Sequence, residues 1–400
     1  MTSDFKSHFP IFKKYPELIY LDNAATTQRP DGVIRAIHDF YTYENANIHR
    51  GVYDLSNKAT SKFELIRGKV AEFLDSDNAN TIAFTQGTTE SMNIVARSFL
   101  PKMAKKGDNI ITTLMEHHAN FIPWQMYAQE LGLELRVVPV DKNGDLKLDE
   151  LSLLIDHKTR LLAVNHISNT LGTVNDIEKI IEIAHEKNVP VSIDAAQSAS
   201  FYEISSKKLD YDFLSFSGHK LFGPFGIGIL YVAPKYHEYI TPYNYGGGII
   251  KDVLVDKTTF TNYPYNLDAG TPNVEGVIGL GAALEFLGLW DKQIARNYLH
   301  NLIQYAEETL LSIPGVSVLG RPRQRSSILS FTVDQVHPHD VASFLNSDHI
   351  AVRAGMHCTQ PLLDSMQTPS TVRMSATLYN TKEEIDRLRE AIVELIKFWS

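Results

Sequence analysis

Between Asp22 and Tyr231 the chain alternates short apolar runs with helix-period segments, and this alternation limits the folds open to it. NIITTL (109–114), LRVVPV (135–140), LLAVNH (161–166) and VPVSID (189–194) read as buried strands. NDIEKIIEIAHEKN (175–188) lies between the last two, with Ile177, Ile180, Ile181 and Ala184 on one helical face. Strands separated by helices predict a mostly parallel sheet covered on its faces. EHHAN (116–120), HISNTLG (166–172) and DAAQ (194–197) each follow a predicted strand. Open α/β sheets bind ligands at the carboxyl ends of their strands, so these clusters fall where a site is expected.

The last third has a different pattern. Ile294, Leu299, Leu302, Ile303, Ala306 and Leu310 stripe a helix over 291–311, and Ile385, Leu388, Ile392, Leu395 and Trp399 stripe another. Thr381 and Glu384 have capping-box spacing. SILSFTV (327–333) and HIAVRAG (349–355) read as strands between them. The reading is an α/β protein with a large domain over 18–285 and a small α+β domain over 1–17 and 286–400.

At 400 residues the chain holds two or three domains' worth of material. Its net charge of -9, without a basic stripe, argues against nucleic acid as a partner. The single cysteine, Cys358, excludes an intrachain disulfide and fits a reducing compartment. The first ten residues lack the apolar stretch of a secretory signal, and no apolar run reaches membrane-span length. A cytoplasmic protein with no membrane association is expected.

Several residues could carry chemistry. In SGHKLFGPFGIG (217–228), Lys220 sits among Leu221, Phe222, Phe225 and glycines. Apolar surroundings disfavour an ammonium and free the amine as nucleophile or base; a snorkelling surface lysine is the plain alternative. Thr88 and Thr89 open a helix whose N-terminus could hold a phosphate or simply be capped. Asp194 ends a buried strand, where a carboxylate needs a partner: a protonated heterocycle, a salt bridge or a helix N-terminus. His117 and His118 have no neighbouring cysteine or H-E-x-x-H pattern, so stacking or acid–base roles, or plain packing, are expected ahead of metal binding. Cys358 lies in a loop near Arg353, and cationic neighbours favour thiolates; a small buried hydrophobe is the alternative. Arg373 could clamp a carboxylate or form a surface ion pair. A phosphate cup, an acid for a pyridine nitrogen, a stacking imidazole and a lysine for covalent attachment together make the set that pyridoxal 5'-phosphate requires.

With these residues identified, the chain resembles the class V aminotransferases, and more narrowly the SufS-type (group II) cysteine desulfurases. The resemblance runs in order through YLDNAATTQRP, NIHRG, GTTE, MEHHAN, SNTLGT, DAAQ, SGHKLFGP, AGTPN, RAGMHC and RMSATLYNT. It implies the fold type I of pyridoxal-phosphate transferases and conversion of L-cysteine to L-alanine, with the sulfur left on Cys358 as a persulfide. Lys220 would carry the cofactor, Asp194 would face its ring nitrogen, Gln197 its ring oxygen, and His117 would stack on the ring. Thr88, Thr89, Ser217 and His219 would hold its phosphate, joined by Thr271 from the second subunit of a homodimer. Asn169, Arg373 and Arg353 would bind substrate, and His49 and Arg50 would line the entrance. A SufE- or SufU-like acceptor protein and a role in iron-sulfur cluster assembly are implied too. A selenocysteine lyase or an aminotransferase that does not use Cys358 would share most of these residues. The chain departs from the family pattern at Phe225, where threonine is frequent, and at Ala195, Thr359, Gln360 and Met374.

Overall fold

The computed structural model describes residues 2–399; Met1 and Ser400, which the expected small domain includes, lie outside them. Fifteen strands are described. β1 (Ile19–Tyr20) precedes β2 (Ile82–Thr85), β3 (Asn109–Thr113), β4 (Glu134–Val138), β5 (Thr159–Asn165), β6 (Val191–Asp194), β7 (Phe213–Ser217) and β8 (Gly228–Val232). β9 (Ile250–Val253) and β10 (Thr258–Phe260) form a hairpin. β11 (Val316–Val318), β12 (Ile328–Val333), β13 (Ile350–Ala351), β14 (Arg353–Gly355) and β15 (Thr371–Ser375) complete the set.

The alternation seen in the sequence becomes a seven-stranded sheet in the order β2-β8-β7-β6-β5-β3-β4. β8 runs antiparallel to both of its neighbours, and the pairs from β7 to β4 are parallel. Helices on both faces explain why β3, β6 and β7 are buried at every position, reading as apolar runs rather than alternating ones. The parallel strands end together at Thr113, Asn165, Asp194 and Ser217, so the loops that follow them share one edge.

The second sheet is antiparallel, in the order β11-β12-β15-β14. The helix Lys292–Leu311 packs here through Leu302, Ile303, Ala306 and Leu310, and Lys382–Trp399 through Ile385, Leu388, Ile392 and Leu395. Two expected stripe members face water. Ile294 is 57% exposed because the buried face runs through Ala295 and Leu299, about 100° around the helix from it. Trp399 is 46% exposed and meets Phe398 edge-on at 5.1 Å. The capping box forms reciprocally: the Thr381 N–H donates to Glu384 Oε2 at 3.3 Å, and the Glu384 N–H to Thr381 Oγ1 at 3.4 Å.

The stretch HIAVRAG, expected as one strand, divides. Ile350–Ala351 pairs in parallel with β1, whereas Arg353–Gly355 pairs with β15. The chain changes partner at Val352, and this turns the 353–358 segment toward the edge where the large sheet's strands end. The helix Val274–Gly288 carries the chain across the expected boundary at residue 285. Phe5, Phe9 and Phe12 from the N-terminal segment pack with Phe222, Phe286 and Tyr379.

Candidate active site

A pocket of about 620 Å³ opens at the carboxyl edge of the seven-stranded sheet. Its lysine is placed by the loop after β7. The Gly223 N–H donates to the Gly218 carbonyl at 2.9 Å, closing a tight turn. A Cβ on Gly218 would lie 2.7 Å from Ile227 Cγ2, so only glycine allows this approach. Leu221 and Phe222 are fully buried and anchor the turn, leaving Lys220 to line the pocket. Burial pushes the Lys220 amine below its ordinary pKa, while the nearby Asp194 acts in the opposite direction.

Asp194 ends β6, 6% exposed, and its Oδ1 accepts from the Ala196 N–H at 2.8 Å. Burial raises its pKa, partly offset by Lys220. A buried carboxylate of this kind gains from a cationic partner in the pocket. His117 follows β3. Its Nδ1 accepts from the Ala119 N–H at 3.1 Å, so the neutral ring carries its proton on Nε2. Burial, with Lys220, His118 and Arg373 adding to it, lowers its pKa to about 3. Gln197 also lines the pocket, and its Nε2 donates to the Ala24 carbonyl at 2.8 Å.

The pocket also holds a polar cup. Ser217 Oγ accepts from the Thr88 N–H at 2.9 Å and sits 2.9 Å from Thr88 Oγ1. Thr88 begins the helix Thr88–Met103, whose first N–H groups and dipole favour an anion. Thr89 and His219 line the same cup. His219 Nδ1 is buried without a hydrogen-bond partner.

Cys358 enters from the small sheet. Its thiol is exposed, but its backbone is docked: the His118 N–H donates to the Cys358 carbonyl at 2.8 Å, and Asn169 Nδ2 to the His357 carbonyl at 2.8 Å. His357 and Cys358 have φ of 51° and 55°. Left-handed backbone at a non-glycine residue costs roughly 1–2 kcal/mol. Two such residues in succession show that the surrounding contacts, not local preference, hold this loop.

Arg373 is 3% exposed. Its Nη1 donates to the Asn169 carbonyl at 3.0 Å and its Nη2 to Asp22 Oδ1 at 3.3 Å, while its Nε has no partner. Burial brings its pKa down to about 10. Asp22 also holds Arg353 through a 2.8 Å ion pair, so one carboxylate sets both guanidinium groups. Asn169 Oδ1 is likewise buried without a partner.

The pocket thus gathers Lys220, Asp194, His117, Gln197, Thr88, Thr89, Ser217, His219, Asn169, Arg353, Arg373 and Cys358. Three expected site residues do not line it: His49, Arg50 and Thr271 are exposed elsewhere on the chain. Two contributors had no role in the sequence reading. The sequence offers one signal for Asp22, an acid ending the short apolar run LIYL. Glu116 is fully buried beneath His117, its Oε1 accepting from Thr113 Oγ1 and the Asn165 N–H, and its Oε2 from Asn120 Nδ2. Burial raises its pKa to about 8. Its place between two strand ends depends on sheet order, which local pattern does not reveal.

This fold and pocket define a class, and comparison with known proteins agrees. The family model for class-V aminotransferases matches residues 19–388, and the chain belongs to that family. It is 43% identical over 387 residues to a cysteine desulfurase of Shigella sonnei strain Ss046, covering 96% of this chain and 95% of the relative. The apo structure of a cysteine desulfurase from Thermococcus onnurineus NA1 superposes with a TM-score of 0.94 at 38% identity, covering 99% of this chain and 98% of that one. The cysteine desulfurase CsdA (S-sulfonic acid) from Escherichia coli superposes with a TM-score of 0.93 at 37% identity, covering 100% and 99%. No helix among the described residues is long and apolar enough to cross a membrane.

Two buried histidines make stability depend on pH. Burial lowers the pKa of His166 to about 4, helped by Arg296, and that of His357 to about 3, helped by Arg373. Both fall below the ordinary value of 6.5, so their contribution is fully present above pH 6.5 and is lost as pH falls toward the folded values. Each adds a slope of about 1.4 kcal/mol per pH unit in that window. Thermal melts from pH 7.5 to 5 are expected to show a falling midpoint, with a shallower fall in His166→Gln. Identical slopes in the two proteins would contradict the assignment.

Proposed function

We propose that the chain is a pyridoxal-phosphate-dependent cysteine desulfurase that converts L-cysteine to L-alanine and takes the sulfur onto Cys358 as a persulfide. The observation that carries this reading is the shared pocket: a lysine with a depressed pKa, a buried aspartate and an exposed thiol open onto one volume.

The residues fit the cofactor. His219 Nδ1 and the Thr88–Ser217 cup suit its phosphate, the buried Asp194 suits a protonated ring nitrogen, and Lys220 suits covalent attachment. Gln197 would reach the ring oxygen, and His117 would lie against the ring. When bound, pyridoxal phosphate supplies an electron sink for negative charge developing at the substrate's α-carbon.

The chain's own residues do the rest. Arg373 keeps an unpartnered buried Nε–H and Asn169 Nδ2 a second N–H, and both would donate to the substrate carboxylate and orient it, with Arg353 beside them. Lys220 Nζ, whose ammonium form is disfavoured by burial, accepts the α-proton when unprotonated. Cys358 Sγ attacks the substrate sulfur; the C–S bond breaks, the persulfide forms on Cys358, and the carbon skeleton leaves as L-alanine. An exposed thiol on the pocket wall favours this reading over an aminotransferase that does not use Cys358.

The proposal includes a homodimer in which Thr271 completes the phosphate cup of the other subunit and His49 and Arg50 line its entrance. All three are exposed and do not line their own pocket, and Tyr43 and Val52, near His49 and Arg50 in sequence, are 70% and 97% exposed. It further includes a SufE- or SufU-like acceptor that collects sulfur from the exposed thiol, supply to iron-sulfur cluster assembly, a cytoplasmic location, and the two domains at 18–285 and 1–17 plus 286–400. The central test is incubation of the cofactor-loaded protein with L-cysteine, following alanine and sulfide. Stoichiometric release of both under reducing conditions is expected. Formation of a 2-oxo acid without sulfide would instead identify an aminotransferase.

A further inference from the structure

Phe225, where the resemblance leads one to expect threonine, is 67% exposed. Its ring stacks on His219 with centroids 5.3 Å apart and planes at 27°. On the same ring lies the Arg29 guanidinium, 4.8 Å from the centroid. The segment that carries Arg29 is bound to the His219 backbone: the Thr27 N–H donates to the His219 carbonyl at 3.0 Å, and Thr26 Oγ1 to the same carbonyl at 3.1 Å. Arg29 itself is held by Thr26 Oγ1 at 3.0 Å and by the Thr27 carbonyl. Pro224 is fixed on the far side, where a Cβ on Gly279 would come within 2.8 Å of its Cγ. The imidazole is therefore clamped by ring stacking and through its own backbone.

We infer that Phe225, backed by Arg29, is a positioning residue that holds the His219 ring in the orientation from which it hydrogen-bonds the cofactor phosphate. The inference rests on the proposed cofactor reading and deepens it. His219 Nδ1 is buried and has no protein partner, so no hydrogen bond to the protein fixes which way that ring edge points. Burial, Lys220 and Arg29 lower the pKa of His219 to about 4, so the ring is neutral and has one N–H to donate. With a single donor, a rotated ring loses the phosphate contact altogether. A stacked aromatic that itself carries a cation restricts that rotation without competing for the nitrogen.

The test is spectroscopic titration of apoenzyme with pyridoxal phosphate and, separately, with pyridoxal, which lacks the phosphate. Stacking of this kind contributes about 0.5–1.5 kcal/mol, so Phe225→Ala should bind pyridoxal phosphate about three- to tenfold more weakly. Its affinity for pyridoxal should match wild type, because the lost contact is to phosphate. Phe225→Tyr should restore pyridoxal phosphate affinity. In a His219→Ala background, Phe225→Ala should have no further effect. Equal loss toward both ligands would show a general packing defect and overturn the inference, as would unchanged affinity for pyridoxal phosphate. Failure of wild-type protein to bind pyridoxal phosphate would overturn the cofactor reading itself, and this inference with it.

Discussion

Cys358→Ser is expected to abolish persulfide formation and to lower alanine release from L-cysteine by at least about 10³-fold, the scale on which removal of a nucleophile acts. A serine hydroxyl is a far weaker attacker at sulfur than a thiolate. The substitution is nearly isosteric at an exposed side chain, so the docked loop should persist. Cysteine binding, and the spectral change that it causes in the loaded enzyme, should therefore be retained. This combination separates a desulfurase from an enzyme in which Cys358 only packs. With selenocysteine as substrate the variant could keep more activity, since selenium leaves more readily, and measuring both substrates on one preparation distinguishes the two chemistries. Unchanged cysteine turnover in the variant would remove Cys358 from the mechanism.

The second large effect is expected at Lys220. Lys220→Ala should eliminate cofactor fixed covalently by borohydride, while the Thr88–Ser217 cup still retains it non-covalently. Loss of a positioned base costs typically about 10²–10⁴-fold, and loss of the attachment point adds to this, so turnover should fall below detection in ordinary assays. The substitution also removes the Lys220 amine, the first of the factors that oppose the effect of burial on Asp194. Asp194 would then bind its proton more readily, and the spectrum of retained cofactor should respond to pH differently from wild type. Borohydride-fixed cofactor in the variant, located by peptide mass, would identify another lysine as the point of attachment.

Residues close in sequence determined a good deal of this protein. Apolar runs bounded by polar clusters marked the parallel strands, because a strand covered on both faces needs continuous hydrophobicity. The same pattern placed Asp194 at a strand end, whereas the strand that ends at Ser217, just before Lys220, came from the fold. Thr381 and Glu384 announced their helix through spacing alone, since a capping box is complete within one turn. The glycines around Lys220 were legible as a place where backbone could come close to a ligand. Tertiary structure decided the remainder. The order of the seven strands is set by which faces and edges pack together over the whole chain, and no local propensity encodes it. The change of partner at Val352, which divides one apparent strand between β1 and β15, has the same origin. Asp22 meets Arg353 and Arg373 only when segments more than 300 residues apart are brought together. Glu116 lies between two strand ends because β3 and β5 are neighbours in the sheet. Phe225 is from the sequence only a departure from the family pattern, and only the fold brings its ring against both Arg29 and His219. Hydrogen bonds within a turn and side-chain periodicity act over a few residues, so sequence reports them directly. Ion pairs, ring stacks and strand order join distant segments, and they come into being only when the chain has packed.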